Sequence, residues 1–196
     1  KSGQIISIGE WVVRTVCRDL KRLTQEGLPV VPVAINISTA QFRDREFMER
    51  LLDIIRREQI DPSWVVLEIT EAVAMDNTAH TLQMLGILRK QGMRIALDDF
   101  GIGSSSLNYL RRLPIDDLKI DQAFIADIEK SRQGAAMVNA IIHSAHCLDL
   151  NVIAEGVETN RQLDFLKDKH CDEIQGYYFA KPMPWENMLA LLRNNR

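Results

Sequence analysis

Six short runs rich in Val, Ile and Leu alternate along this chain with segments of helical period, and each run ends on a polar side chain that is costly to bury. The runs are Val30–Ser38, Val65–Thr70, Arg94–Phe100, Asp117–Asp121, Asn151–Val157 and Glu173–Phe179. Their length and branched content read as buried strands. The segments between predict helices over Arg45–Glu58, Thr78–Lys90, Phe124–Leu148 (broken near Gly134), Asn160–Asp168 and Trp185–Leu192. A further helix, Ile5–Gln25, precedes the first strand and is closed by Gly27 and Pro29. Strands alternating with helices imply parallel pairing, right-handed crossovers and helices covering the sheet. With no low-complexity linker, residues 1–196 read as one domain.

The polar ends decide between an open sheet and a barrel. The first strand ends near Asn36, the second at Glu68 with Glu71 just beyond, and the third at Asp98-Asp99. The fourth holds Lys119 and Asp121, the fifth carries Glu155 with Glu158 beyond, and the sixth carries Gln175. An open doubly wound sheet uses a few strand ends at one switch point, whereas a barrel gathers all of them on one face. The pattern therefore predicts an α/β, TIM-like (β/α)8 barrel. Such a barrel has eight strands and typically about 250 residues. The expectation is that about two strands precede Lys1 and that the chain is N-terminally truncated.

The chemistry of this ring is that of hard oxygen donors. Asn36, Glu68, Asp98 and Asp99 suit Mg²⁺ or Mn²⁺, and no His or Cys stands at a strand end as zinc would favour. Adjacent aspartates on a regular strand point to opposite faces, so both reach one site only where the strand breaks; Phe100-Gly101 is the expected break. Carboxylates held this close repel without a cation, and a pair of metals would suit phosphodiester hydrolysis. Lys119 then serves as a fixed cation near the attacking water or a phosphoryl oxygen. Glu155 serves as general base or second-metal ligand, and Gln175 as a neutral donor for water or substrate.

Composition narrows the field. The net charge of −3 excludes the general basic surface that binding a nucleic-acid polymer requires. Cys17, Cys147 and Cys171 form no CxxC pair or zinc spacing, which reads as reduced thiols in a cytoplasmic setting. No run approaches the roughly 20 apolar residues of a membrane span, so no membrane contact is expected of this domain. His143 and His146 share a helix face without a third ligand and read as packing or surface residues. His80 and His170 read as surface residues. The Gly-Ile-Gly-Ser-Ser-Ser run at 101–106 lacks the Walker lysine and reads as an active-site loop.

The stretch DDFGIGSSSLNYL, with VAINIS, LEITE, LPIDDLKID, AEGVE and QGYYFAKPMP, closely resembles the EAL-domain family along the whole chain. The resemblance implies a modified barrel with one antiparallel strand, here lacking about its first two strands. It implies a cyclic di-GMP phosphodiesterase that releases linear pGpG with Mg²⁺ or Mn²⁺, two ions in all. On that pattern Asn36, Glu68, Asp98, Asp99 and Asp121 are metal ligands, with Asp98 bridging. Glu155 is the general base, Lys119 contacts the catalytic water, Gln175 lies near the reacting centre, and Glu71 and Glu158 support the loop. The family also implies a homodimer, and sensor or cyclase-like domains in a longer, potentially membrane-tethered chain. Two departures stand out. Gly-Ile-Gly-Ser replaces the usual Gly-Thr-Gly-Tyr, and the Glu-Ala-Leu motif is absent, its place falling before Lys1. The isolated segment is therefore expected to be impaired. A receptor that binds cyclic di-GMP without cleaving it is the alternative reading, although such receptors typically lose metal ligands. A metal-dependent aldolase fails to account for the motif set.

Overall fold

The computed structural model describes residues 2–76, 78–101 and 107–194. All six expected strands are present: β1 Val33–Ile37, β2 Val65–Thr70, β3 Arg94–Phe100, β4 Asp117–Ile120, β5 Asn151–Glu155 and β6 Glu173–Gln175. They follow one another in a single sheet in chain order. That order never reverses, so there is no switch point of the kind a doubly wound sheet needs. A singly wound sheet of this order is the wall of a barrel. The pairs from β3 to β6 are parallel. No helix among the described residues is long and apolar enough to cross a membrane.

The chain divides into two compact units. The first comprises Lys1–Glu68, Leu88–Arg94 and Pro182–Arg196. Its core is built by two amphipathic helices, α1 (Ser2–Gln25) and α3 (Arg45–Arg57). Val13, Cys17, Leu20 and Leu23 recur every three to four residues along α1 and are fully buried, as are Phe47 and Leu51 of α3. Burying a leucine contributes roughly 1.5–3 kcal/mol. Between them lies the short helix α2 (Thr39–Arg43), started by a capping box in which Ser38 and Gln41 satisfy each other's backbone donors. The Gln41 amide also donates to Ile5 O at 3.0 Å, which explains a polar side chain only 4% exposed.

The second unit comprises Ile69–Ile87 and Ile95–Lys181 and carries most of the strand ends. β4 is buried at every position, as expected of a strand covered on both faces. Its helices are α4 (Glu71–Met75), α5 (Thr78–Lys90, as far as Ile87), α6 (Leu107–Leu110), α7 (Gln122–Asp127), α8 (Arg132–His146) and α9 (Asn160–Asp168). The long helix expected over Phe124–Leu148 is thus two helices, with the break at 128–131, near Gly134 as expected. Ser131 caps α8 and accepts from Gly134 N at 2.9 Å. Gly134 lies inside the first turn, where a Cβ would stand 2.6 Å from Asp127 O. The glycine is there for close approach to α7, and a helix break is not its purpose. The sixth strand also stops early. Gln175 O accepts from Val157 N at 3.1 Å, and Tyr178 N donates to Val157 O at 2.9 Å, which turns the chain before Phe179.

Candidate metal centre

The centre begins with an irregularity in β3. Leu97 pairs with Leu118 and Phe100 with Ile120, so Asp98 and Asp99 together stand opposite the single residue Lys119. This is a β-bulge, and Asp99 adopts the left-handed conformation at φ 56°. Aspartate tolerates that region better than most residues because its short carboxylate bonds locally. Here Asp99 N donates to Asp98 Oδ1 at 3.0 Å. The bulge cancels the alternation of the strand, so a carboxylate oxygen of each adjacent aspartate lies within 4.8 Å of the other. The break expected at Phe100-Gly101 therefore lies on Asp99 itself, and Phe100 is still in the ladder. Gly101 follows at φ 102°, where a Cβ would meet the Phe124 ring at 2.6 Å. The rest of the Gly-Ile-Gly-Ser-Ser-Ser run lies outside the described residues.

β4 and β5 supply the opposing charge and the third carboxylate. Lys119 pairs in register with Ile153, so Glu155, two residues on, shares its face. The Lys119 ammonium lies 2.7 Å from Glu155 Oε1 and 3.4 Å from Asp98 Oδ1, and the residue is only 3% exposed. One carboxylate oxygen from each of Asp98, Asp99 and Glu155 falls within 4.8 Å of the others. Three carboxylates against one ammonium leave two negative charges in a half-buried space. Burial raises the Asp99 pKa, and the charges of Asp98 and Asp121 raise it further against the opposing pull of Lys119. An all-oxygen set with surplus negative charge is chemically matched to a hard divalent cation.

The remaining candidates take separate places. Asp121 caps α7, its Oδ1 accepting from Ala123 N at 2.8 Å, and its charge is felt at Asp99. Gln175 is the last residue of β6, exposed and in register beside Glu155. Glu158 is exposed, and its backbone N donates to Gln162 Oε1 at 2.8 Å at the start of α9. Glu71 is buried at the first position of α4, which Thr70 caps directly off β2. In the first unit, Asn36 is exposed on β1 and Glu68 is 7% exposed on β2.

His146 bonds Asp172 through Nε2 at 2.9 Å, and His143 Nε2 lies 3.7 Å from the Cys147 sulfur, consistent with packing and surface roles. All three cysteines are free, and burial pushes the Cys17 and Cys171 thiols up to about 11. Tyr109 stands in the stretch DDFGIGSSSLNYL with no role assigned to it from sequence, and its hydroxyl donates to Ala74 O and joins α6 to α4. Nothing in its local pattern distinguishes it from an ordinary apolar helix residue.

A family profile described as "EAL domain" matches residues 1–182. Among curated relatives, the bifunctional diguanylate cyclase/cyclic di-GMP phosphodiesterase MucR of Pseudomonas aeruginosa is 39% identical over 190 residues, covering 97% of this chain and 28% of the relative. The cyclic di-GMP phosphodiesterase NbdA of the same organism is 39% identical over 195 residues, 100% of this chain and 25% of the relative. The chain thus spans about a quarter of the length of these relatives. Among solved structures, the PaMucR phosphodiesterase complex with c-di-GMP superposes with a TM-score of 0.91 at 38% identity, covering 96% of this chain and 76% of that one. The EAL domain of Mycobacterium smegmatis DcpA gives 0.90 at 35% identity, covering 96% and 85%.

Proposed function

The chain belongs to the EAL domain family, and from that premise we propose that it hydrolyses cyclic di-GMP to linear pGpG at a centre holding two Mg²⁺ or Mn²⁺ ions. The observation that carries the reading is the cluster in which Lys119 lies between Asp98 and Glu155 while Asp99 completes the carboxylate set. Relatives named as cyclic di-GMP phosphodiesterases support the substrate.

Within the second unit, Asp98 and Asp99 would hold the metal, with Asp121 as a further ligand. Bound metal supplies a water of lowered pKa and a positive clamp for the scissile phosphate. Glu155 receives the proton of the attacking water. Lys119 orients that carboxylate until then, and its buried ammonium faces the charge that develops on the phosphate. Gln175, in register beside Glu155, orients substrate or water. Glu71 and Glu158 support the segments that follow β2 and β5. In the longer protein the domain works in the cytoplasm, as a homodimer coupled to sensor or cyclase-like domains.

Incubation of the full-length protein with cyclic di-GMP and Mn²⁺, followed by chromatography of the nucleotides, tests the reading. Accumulation of pGpG is expected. Recovery of bound but uncleaved cyclic di-GMP would sink the enzyme and leave a receptor.

A further inference from the structure

Glu155 stands where β5 leaves the β4 ladder, since Ile120 with Ala154 is the last pair between these strands. Beyond that pair Asp121 caps α7, and the chain from Glu155 passes into Gly156. Gly156 is left-handed at φ 68°, a conformation that glycine adopts without steric cost. It also lies directly on the first residue of α7, where a Cβ would stand 2.5 Å from Gln122 Cβ and 3.3 Å from Gln122 Cα. Neither atom moves when the glutamine changes rotamer, so no side-chain rotation relieves the contact. Gln122 is held in turn, because Asp121 Oδ1 accepts from Ala123 N at 2.8 Å and Asp121 O accepts from Phe124 N at 3.1 Å. On the far side Val157 is held to the end of β6: its N donates to Gln175 O at 3.1 Å, and its O accepts from Tyr178 N at 2.9 Å. All of these residues lie in the second unit. Carbon atoms in contact prefer about 3.5–4.0 Å, so a side chain at 156 demands a shift of about 1 Å. Whichever side yields carries a charged group of the centre with it, Glu155 on one and Asp121 on the other.

We propose that Gly156 is a positioning residue, whose left-handed turn and bare Cα seat the Glu155 carboxylate against Lys119 and beside Asp98 and Asp99. This rests on the metal-centre reading, and one of its two measurements is independent of turnover. Mn²⁺ binding to the full-length protein is followed by electron paramagnetic resonance without nucleotide, and kcat and KM for cyclic di-GMP are measured separately, below each melting temperature. The variants are Gly156→Ala, Gln122→Gly and the double substitution, in which the facing Cβ is gone. Gly134→Ala is the control for a close-packed glycine elsewhere, since a Cβ there would stand 2.6 Å from Asp127 O.

Gly156→Ala is expected to lower kcat about a hundredfold, the effect of a misplacement of about 1 Å. Mn²⁺ affinity should weaken about tenfold, as when a group that orients ligands is disturbed. Gln122→Gly alone should match wild type, and the double variant should recover most of both losses. Gly134→Ala should lower the melting temperature and leave kcat and Mn²⁺ affinity unchanged. A Gly156→Ala protein that melts lower but keeps wild-type kcat and Mn²⁺ affinity would show a scaffold glycine only and overturn the proposal. Equal losses in Gly134→Ala would overturn it too, as would a wild type that takes up no Mn²⁺. If the single variant does not fold, the double variant decides: one that folds and still turns over a hundredfold more slowly than wild type overturns the proposal. A wild type that binds Mn²⁺ but cleaves no cyclic di-GMP refutes the phosphodiesterase reading, and the Mn²⁺ affinities then decide the role of Gly156.

Discussion

Lys119 Nζ lies 2.7 Å from Glu155 Oε1, and the lysine side chain is 4% exposed against 17% for the glutamate. The partner with the deeper burial is thus the cation. Lysine is almost never buried without a partner, so its place is justified only by the carboxylates around it. The same relationship limits Glu155, whose carboxylate is fixed against a charge it cannot leave. Lys119 acts as a permanent internal counterion whose single charge falls short of its acidic neighbours.

Replacing that counterion separates its structural role from its chemical one. Lys119→Met should destabilise the metal-free protein by about 3 kcal/mol, because removing one member of a buried ion pair strands the other. Urea unfolding in EDTA measures this. Saturating Mn²⁺ should recover a large part of the loss, since the ion then balances Asp98, Asp99 and Glu155. An identical deficit with and without Mn²⁺ would mean that metal does not bind among these groups.

Glu155→Gln keeps the size of the side chain and removes its basicity. Turnover should fall at least about a hundredfold, the usual contribution of a positioned general base. Binding of cyclic di-GMP, followed by calorimetry, should survive. Joint loss of binding and turnover would point to a ligand or structural role for this carboxylate.

The regular parts of this fold were legible because their signals are local. Val65–Thr70 and Arg94–Phe100 are branched apolar runs with sharp polar or turn boundaries, and both strands run as expected from end to end. Thr78–Lys90 and Asn160–Asp168 match as fully. Misreadings arose where tertiary contact overrides local preference. The break near Gly134 was legible, but the close approach of that glycine to the backbone of Asp127 was not. The aromatic run Tyr177–Phe179 has strand propensity, but bonds to Val157 end the strand at Gln175. In the centre, the acidic residues and Lys119 could be named from their places at strand ends. The bulge that brings Asp98 and Asp99 to one side could not, since nothing in an Asp-Asp pair announces a left-handed residue.

That bulge costs stability where it brings the two carboxylates together. Asp99 combines a left-handed backbone with a carboxylate pushed up by burial and by Asp98 and Asp121. Asp99→Gly relieves the backbone cost, about 1 kcal/mol, and the charge repulsion with it. The variant should unfold at higher urea than wild type in EDTA, bind Mn²⁺ more weakly and turn over more slowly. A variant less stable than wild type in EDTA would show that Asp99 is held by favourable contacts rather than under strain.

Asp172 gives the clearest dependence on pH, away from the carboxylate cluster. Burial raises its pKa, but hydrogen bonds from His146 and from Val152 N at 2.8 Å outweigh burial and hold the carboxyl below its ordinary value. A carboxylate depressed in the folded state adds stability that is fully present above its unfolded pKa and is lost as pH falls through the folded one. The Asp172 side chain is 38% exposed, so the contribution is of the surface kind, about 0.2–1 kcal/mol. Asp172→Asn should therefore be less stable than wild type at pH 7, and the two should converge as the pH falls below the ordinary aspartate range. Urea midpoints measured from pH 7 down to pH 3 check this. A difference that stays constant across that range would trace the contribution of Asp172 to the neutral hydrogen bond at the start of β5, with its charge playing no part.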